Sequence, residues 1–229
     1  MTMARQIGSE MVELKRAHLR FDRLPGAYIH PQRLDDCLPP ELPFELRDQL
    51  RYSTRLQTRL SSVLRRRFDL KPCRMQDFDS PEGRFARLEG EELGMMVRRI
   101  GAVWHGRTIA GIILKDALKE LIAWLGEDGY RVALRHGRLV TVDVDREEIN
   151  EPSDFDRLYN KIERDGQRCV HAWCRNQPAS LAARLSLKFP PAVDDEAVDD
   201  SLTDALQEQG LLITDRVIME KAVSDANVS

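Results

Sequence analysis

No stretch of this chain carries the roughly 20 consecutive apolar residues that a membrane-spanning helix requires. The longest apolar run, Ile109 to Leu114, ends at Lys115. The first residues alternate charge with apolar side chains from Met1 to Phe21 and hold neither a secretory apolar core nor a cleavage site, so the chain is expected in the cytosol. Cysteine is scarce. Cys37, Cys73, Cys169 and Cys174 are too few and too scattered for a disulfide framework, which leaves reduced thiols as the expectation. Aromatic residues make up only 6% of the chain, and none interleaves with the most arginine-rich stretch, so that stretch lacks base-stacking platforms. Also missing are a Gly-rich phosphate loop, a nucleophile elbow, a His-Glu-x-x-His helix and a dinucleotide fingerprint.

What the chain does have is apolar periodicity. With 229 residues, 42% apolar and 32% charged, it is long enough to bury a real core beneath a heavily ionised surface. Leu93, Met96, Val97, Ile100, Val103 and Trp104 recur at three- and four-residue steps and predict one helix face. Ile109 to Leu125 is apolar over more than half a helical circumference, which predicts a second helix enclosed by neighbours. Further helices are expected over Met3 to Phe21, from Phe44 to Phe68 with an interruption at Ser53, from Ser153 through Trp173, and from Pro178 to Phe189. The prolines between Leu24 and Pro43 restrict that passage to turns and short helical pieces. Gly126 to Gly129 breaks the central pattern. Beyond it Tyr130 to His136 reads as a short helix, while Leu139 to Val144 alternates like one arm of a hairpin. The fold class expected is therefore mainly α. One compact helical domain spans 1–191, with a short helix or a small β-hairpin over 130–145. An acidic C-terminal tail over 192–229 forms a peripheral helix or stays mobile until bound.

Charge is distributed unevenly. Met1 to Gln76 holds 15 basic against 9 acidic residues, whereas Pro190 to Ser229 holds 2 against 10. Such an asymmetry points to separate partners for the two ends, or to a tail folded back on a basic head. Arg65-Arg66-Arg67, with Arg55 and Arg59 before it, is the strongest basic feature. It reads as a solvated helix face that docks an acidic protein, the alternative being phosphate contacts of a nucleic-acid-binding regulator. Cys169, His171 and Cys174 are zinc-ligand types, but they diverge around a helix and no fourth ligand lies near. Asp143, Asp145, Glu147 and Glu148 cluster carboxylates as a small metal-dependent enzyme would, yet Glu148 occupies the place where a calcium loop turns on glycine.

Several short patterns occur in a fixed order: Tyr28-Ile29-His30-Pro31-x-x-Leu34, Leu60-Ser61-Ser62-Val63-Leu64 before Phe68-Asp69-Leu70, Phe78-Asp79-Ser80-Pro81 and Arg84-Phe85-Ala86-Arg87-Leu88. Ile100-Gly101-Ala102, the Leu125-Gly126 to Tyr130 step and Arg184-Leu185-Ser186-Leu187-Lys188-Phe189-Pro190 follow. In that order they resemble the SctK (YscK-like) family of bacterial type III secretion systems, over about Leu24 to Pro191. The resemblance implies a non-enzymatic helical accessory protein of the cytoplasmic sorting platform, without cofactor. It would sit in the bacterial cytoplasm, peripheral to the inner membrane through its partners. Those partners are the forkhead-associated-like cytoplasmic domain of the inner-membrane ring protein (SctD-like) and the C-ring-like platform protein (SctQ-like). The expected contact residues are Arg59, Arg65, Arg66 and Arg67 on one surface and Leu202, Leu206, Leu211 and Leu212 on the other.

Overall fold

The computed structural model describes residues 2–140, 152–191 and 200–228, and in its last helix the side chains of 208–224. All regular elements among these residues are helical. In chain order they are α1 (Thr2–Arg23), a 3-10 turn (Pro25–Ala27), α2 (Pro31–Asp35), α3 (Phe44–Tyr52), α4 (Thr54–Arg67), α5 (Met75–Phe78) and α6 (Pro81–Arg87). Then come α7 (Gly90–Trp104), α8 (Gly106–Ala110), α9 (Lys115–His136), a 3-10 turn (Gly137–Leu139), α10 (Pro152–Cys174), α11 (Ala179–Ser186) and α12 (Asp200–Val228). The mainly α expectation is met. Two compact units form within the chain, Met1–Arg87 with Gln177–Asp194, and Leu88–Asn176 with Asp195–Ser229.

In the first unit, short helices are stitched together by polar groups that the recurring sequence patterns supply. His30 accepts from the Gln32 amide through Nδ1 and so caps α2, with Pro31 at the first helical position, where the missing N–H costs nothing. The Tyr28 hydroxyl donates to the Phe21 carbonyl, and the His30 amide donates to the Leu187 carbonyl. Arg33 donates to the Phe189 carbonyl at 2.7 Å, which ties α2 to the segment after α11. Ser80 caps α6 by accepting from the Gly83 amide at 3.0 Å, while its own hydroxyl donates to the Asp77 carbonyl. Ile29, Leu34, Leu64, Leu70 and Leu187 form the apolar core that these bonds surround.

At the centre of that unit lies a charge. Arg184 is fully buried and donates to the carbonyls of Phe21, Asp22, Lys71 and Ser180 and to the Asp22 carboxylate at 2.7 Å. A guanidinium can be held in a core only when its donors are met in this way. Lys188, also buried, lies over the Phe21 and Tyr28 rings.

In the second unit α10 packs on α7 and α12, and α9 packs on α7. Its core holds Ala102, Ile109, Leu121, Leu125, Ala133, Leu158 and Ile162. α7 and α10 cross closely at Gly101 and Gly166. A methyl group on either would run into backbone of the opposite helix, so glycine is required at both. His105 and Asp165 meet in the interior at 2.9 Å, and Arg164 and Arg168 also reach the carboxylate. Burial pushes the Asp165 carboxyl up, but the His105 hydrogen bond and the surrounding cations outweigh it and hold the group below its ordinary value.

Three expectations need correction. Ile109 to Leu125 is not one enclosed helix. α8 stops at Ala110, Leu114 is extended, and Ile113 stands 95% exposed at the tip before α9 begins. Tyr130 to His136 is helical, as the short-helix reading has it, and with Gly137–Leu139 in a 3-10 turn the hairpin alternative fails there. Gly129, Ala133 and Gly137 repeat every four residues there, a small-residue stripe against which Gly106 and the Arg99 side chain pack. The remainder of the expected strand, with Asp143, Asp145, Glu147 and Glu148, lies outside the described residues. The C-terminal segment is neither peripheral nor loose over α12. Ile213, Val217 and Ile218 are buried, Gly210 approaches the Cys169 backbone, and the Trp173 indole donates to Asp215. Its acidity concealed a buried stripe, because apolar residues lie on both an inner and an outer arc and leave no single amphipathic face. The break expected at Gly126 is real, with φ at +75° inside α9.

Candidate functional site

α4 is fixed by its inner face. Ser61 is fully buried there, and its hydroxyl accepts from the Gly26 amide at 3.1 Å. A methyl at Gly26 would meet the end of the Gln57 side chain at 2.7 Å and Ser61 and Leu60 just beyond, so the turn after α1 packs closely on α4. Leu64 completes the inward stripe, with Leu60 and Phe68 half-buried beside it. With that face down, the 3.6-residue period turns Arg55, Arg59 and Arg66 outward.

The five arginines of α4 therefore divide. Arg67 donates to the Asp36 carbonyl at 3.1 Å, and Arg65 is half-buried with its Nε enclosed. Arg65, Arg66 and Arg67 all sit in the last turn, where cations complement the helix dipole. Arg55, Arg59 and Arg66 are exposed, and among the described residues none accepts from them. Arg55 lies in the first turn, where the dipole opposes positive charge by about 0.3–1 kcal/mol. Arg55 and Arg59, four apart, repel by a few tenths of a kcal/mol more. Of the expected contact residues, Arg59, Arg66 and Arg67 are exposed, Arg67 with one bond to a backbone carbonyl, and Arg65 is half-buried. Arg55, outside the expected contact set, is exposed on the same face as Arg59 and Arg66. Its signal was in the sequence, since only it lies eleven residues from Arg66 on the face opposite Leu64.

The second expected surface is α12. Leu202 and Leu206 belong to its first half. Leu211 is half-buried, while Leu212 is 63% exposed. Met219 and Val223, seven and eleven residues further on, are exposed on the same face. The apolar outward stripe thus runs Leu212, Met219, Val223, and of the expected pair Leu211 and Leu212 it is Leu212 that stands on it.

Two of the thiols are enclosed. Burial raises the Cys169 thiol far above its ordinary range and pushes Cys174 up to about 12, so neither offers a thiolate as nucleophile or ligand near neutral pH. Among the described residues no cluster of His, Cys, Asp and Glu is placed to hold a metal ion. No described helix is long and apolar enough to cross a membrane.

These features define a helical protein with exposed arginines on α4 that meet no acceptor among the described residues, and with an exposed apolar stripe on α12. A family model described as YOP proteins translocation protein K (YscK) matches residues 16–226, which takes in α12 as well as the patterns between Leu24 and Pro191. The chain belongs to the YscK family, and is thereby a type III secretion protein of the structural or accessory kind. Comparison with curated proteins and with solved structures gives no match.

Proposed function

We propose that this protein is a non-enzymatic adaptor of the type III secretion sorting platform. In this reading it joins the cytoplasmic forkhead-associated-like domain of the inner-membrane ring protein (SctD-like) to pods of the C-ring-like protein (SctQ-like). It is held at the cytoplasmic face of the inner membrane through these partners. The observation that carries the reading is family membership over nearly the whole chain. The structure supports it in kind. An adaptor needs rigid bodies with surfaces to spare, and each unit supplies one: the outward face of α4 in the first, the Leu212, Met219 and Val223 stripe of α12 in the second.

The test is affinity purification of the tagged chain from a type III-competent bacterium, with mass spectrometry of what accompanies it. Recovery of the C-ring-like protein and the ring protein is expected. Recovery of neither, with nucleic acid or a bound metal in their place, would contradict the proposal.

A further inference from the structure

One surface specifies its occupant more narrowly than the adaptor reading does. On the outward face of α4, Arg55, Arg59 and Arg66 form a stripe of about 16 Å along the helix axis, taken at 1.5 Å per residue. Thr54–Arg67 contains no acidic residue to offset them. Leu56 and Val63, seven residues apart and both exposed, run beside that stripe. Single exposed aliphatic residues are ordinary on any surface. Here two of them share one helix face with three cations that meet no acceptor among the described residues, one of which stands at the wrong end of the helix dipole.

We propose that this face docks an acidic amphipathic helix of a protein partner, its carboxylates on Arg55, Arg59 and Arg66 and its apolar residues on Leu56 and Val63. Guanidinium groups pair bidentately with carboxylates, which gives such a contact register as well as attraction. A helix laid along α4 presents side chains at three- and four-residue steps, the spacing that the stripe offers. Nucleic acid fits less well. Phosphates would satisfy the arginines, but Leu56 and Val63 have no π face for a base and gain nothing from a sugar-phosphate backbone. The inference rests on the adaptor reading only for which protein carries the acidic helix.

The experiment titrates the full chain with three labelled probes: a helical peptide about five turns long with glutamates and leucines at helical spacing, the same composition scrambled, and a short DNA duplex. Two variants accompany the wild type, one with Arg55→Glu, Arg59→Glu and Arg66→Glu, the other with Leu56→Ser and Val63→Ser. An Arg→Gln set at the same three positions stands in if the first variant unfolds. Expected is binding of the ordered peptide that falls about tenfold or more in both variants and with the scrambled probe. Equal binding of ordered and scrambled peptides would overturn the inference, as would no peptide binding, or variants indistinguishable from wild type. Tighter binding of the duplex that needs the arginines but not Leu56 and Val63 would overturn it in favour of nucleic acid.

The same variants are then mixed with the purified C-ring-like protein and with the ring protein's cytoplasmic domain. Loss of one partner by both variants supports the inference. Both partners retained by both variants refutes it and leaves the adaptor standing. Peptide binding without partner binding refutes the adaptor and leaves the surface standing.

Discussion

Arg184 is the residue on which the first unit turns, and its role was only half legible. It falls between Leu181 and Leu185 on an apolar line, a position that marks a core-facing cation, and it opens a pattern that carried the family resemblance. Its partners, from Phe21 to Ser180, come from segments that no local pattern links. Replacing it with Met strands the Asp22 carboxylate and several carbonyls, and is expected to cost about 3–5 kcal/mol in a denaturant titration. A change within about 0.5 kcal/mol would show that the network is dispensable. Asp165 governs the acid side. Its folded carboxyl titrates below the ordinary 3.8, so its contribution is fully present above that value and is lost as pH falls through the folded value. Asp165→Asn is therefore expected to flatten the loss of stability below about pH 4, read from unfolding midpoints across an acid series.

At the scale of elements, periodicity located most helices, because three- and four-residue apolar steps record burial directly. It failed where burial came without them. Ile109 to Leu125 has helical composition, but Gly111 and the extended Leu114 end one helix and start another, and Ile113 is left in solvent. α12 was obscured in the opposite way, since apolar residues on two arcs cancel into no amphipathic signal. Its two faces respond differently to substitution. Ile218→Ala should cost about 2–3 kcal/mol, whereas Leu212→Asp should leave stability within about 0.5 kcal/mol and weaken partner binding. Equal effects on stability would mean that the outward stripe is not a free surface. The crossing of α7 and α10 is a third case. Gly166→Ala places a methyl against the Val97 carbonyl, and a loss of stability of about 1–3 kcal/mol is expected in a denaturant titration.

For the whole molecule, the charge asymmetry between the ends was legible from counting, and its resolution was not. The basic end became α4, where Arg55, Arg59 and Arg66 are exposed with no acceptor among the described residues and Arg67 is tied to the Asp36 carbonyl. The acidic end became a helix with a packed apolar side. If α4 steers a partner by charge, association should slow as salt rises toward the point where the screening length falls to about 8 Å or less, while dissociation changes little. Stopped-flow mixing at several ionic strengths would show this, and a salt-independent rate would argue for apolar docking alone. The adaptor claim itself is tested most directly by mixing the purified chain with the C-ring-like protein and the ring protein's cytoplasmic domain and measuring the mass of the complex by light scattering. The account predicts one species containing all three, formed only when this chain is present. Two partners that displace each other from the chain, or that ignore it, would contradict it.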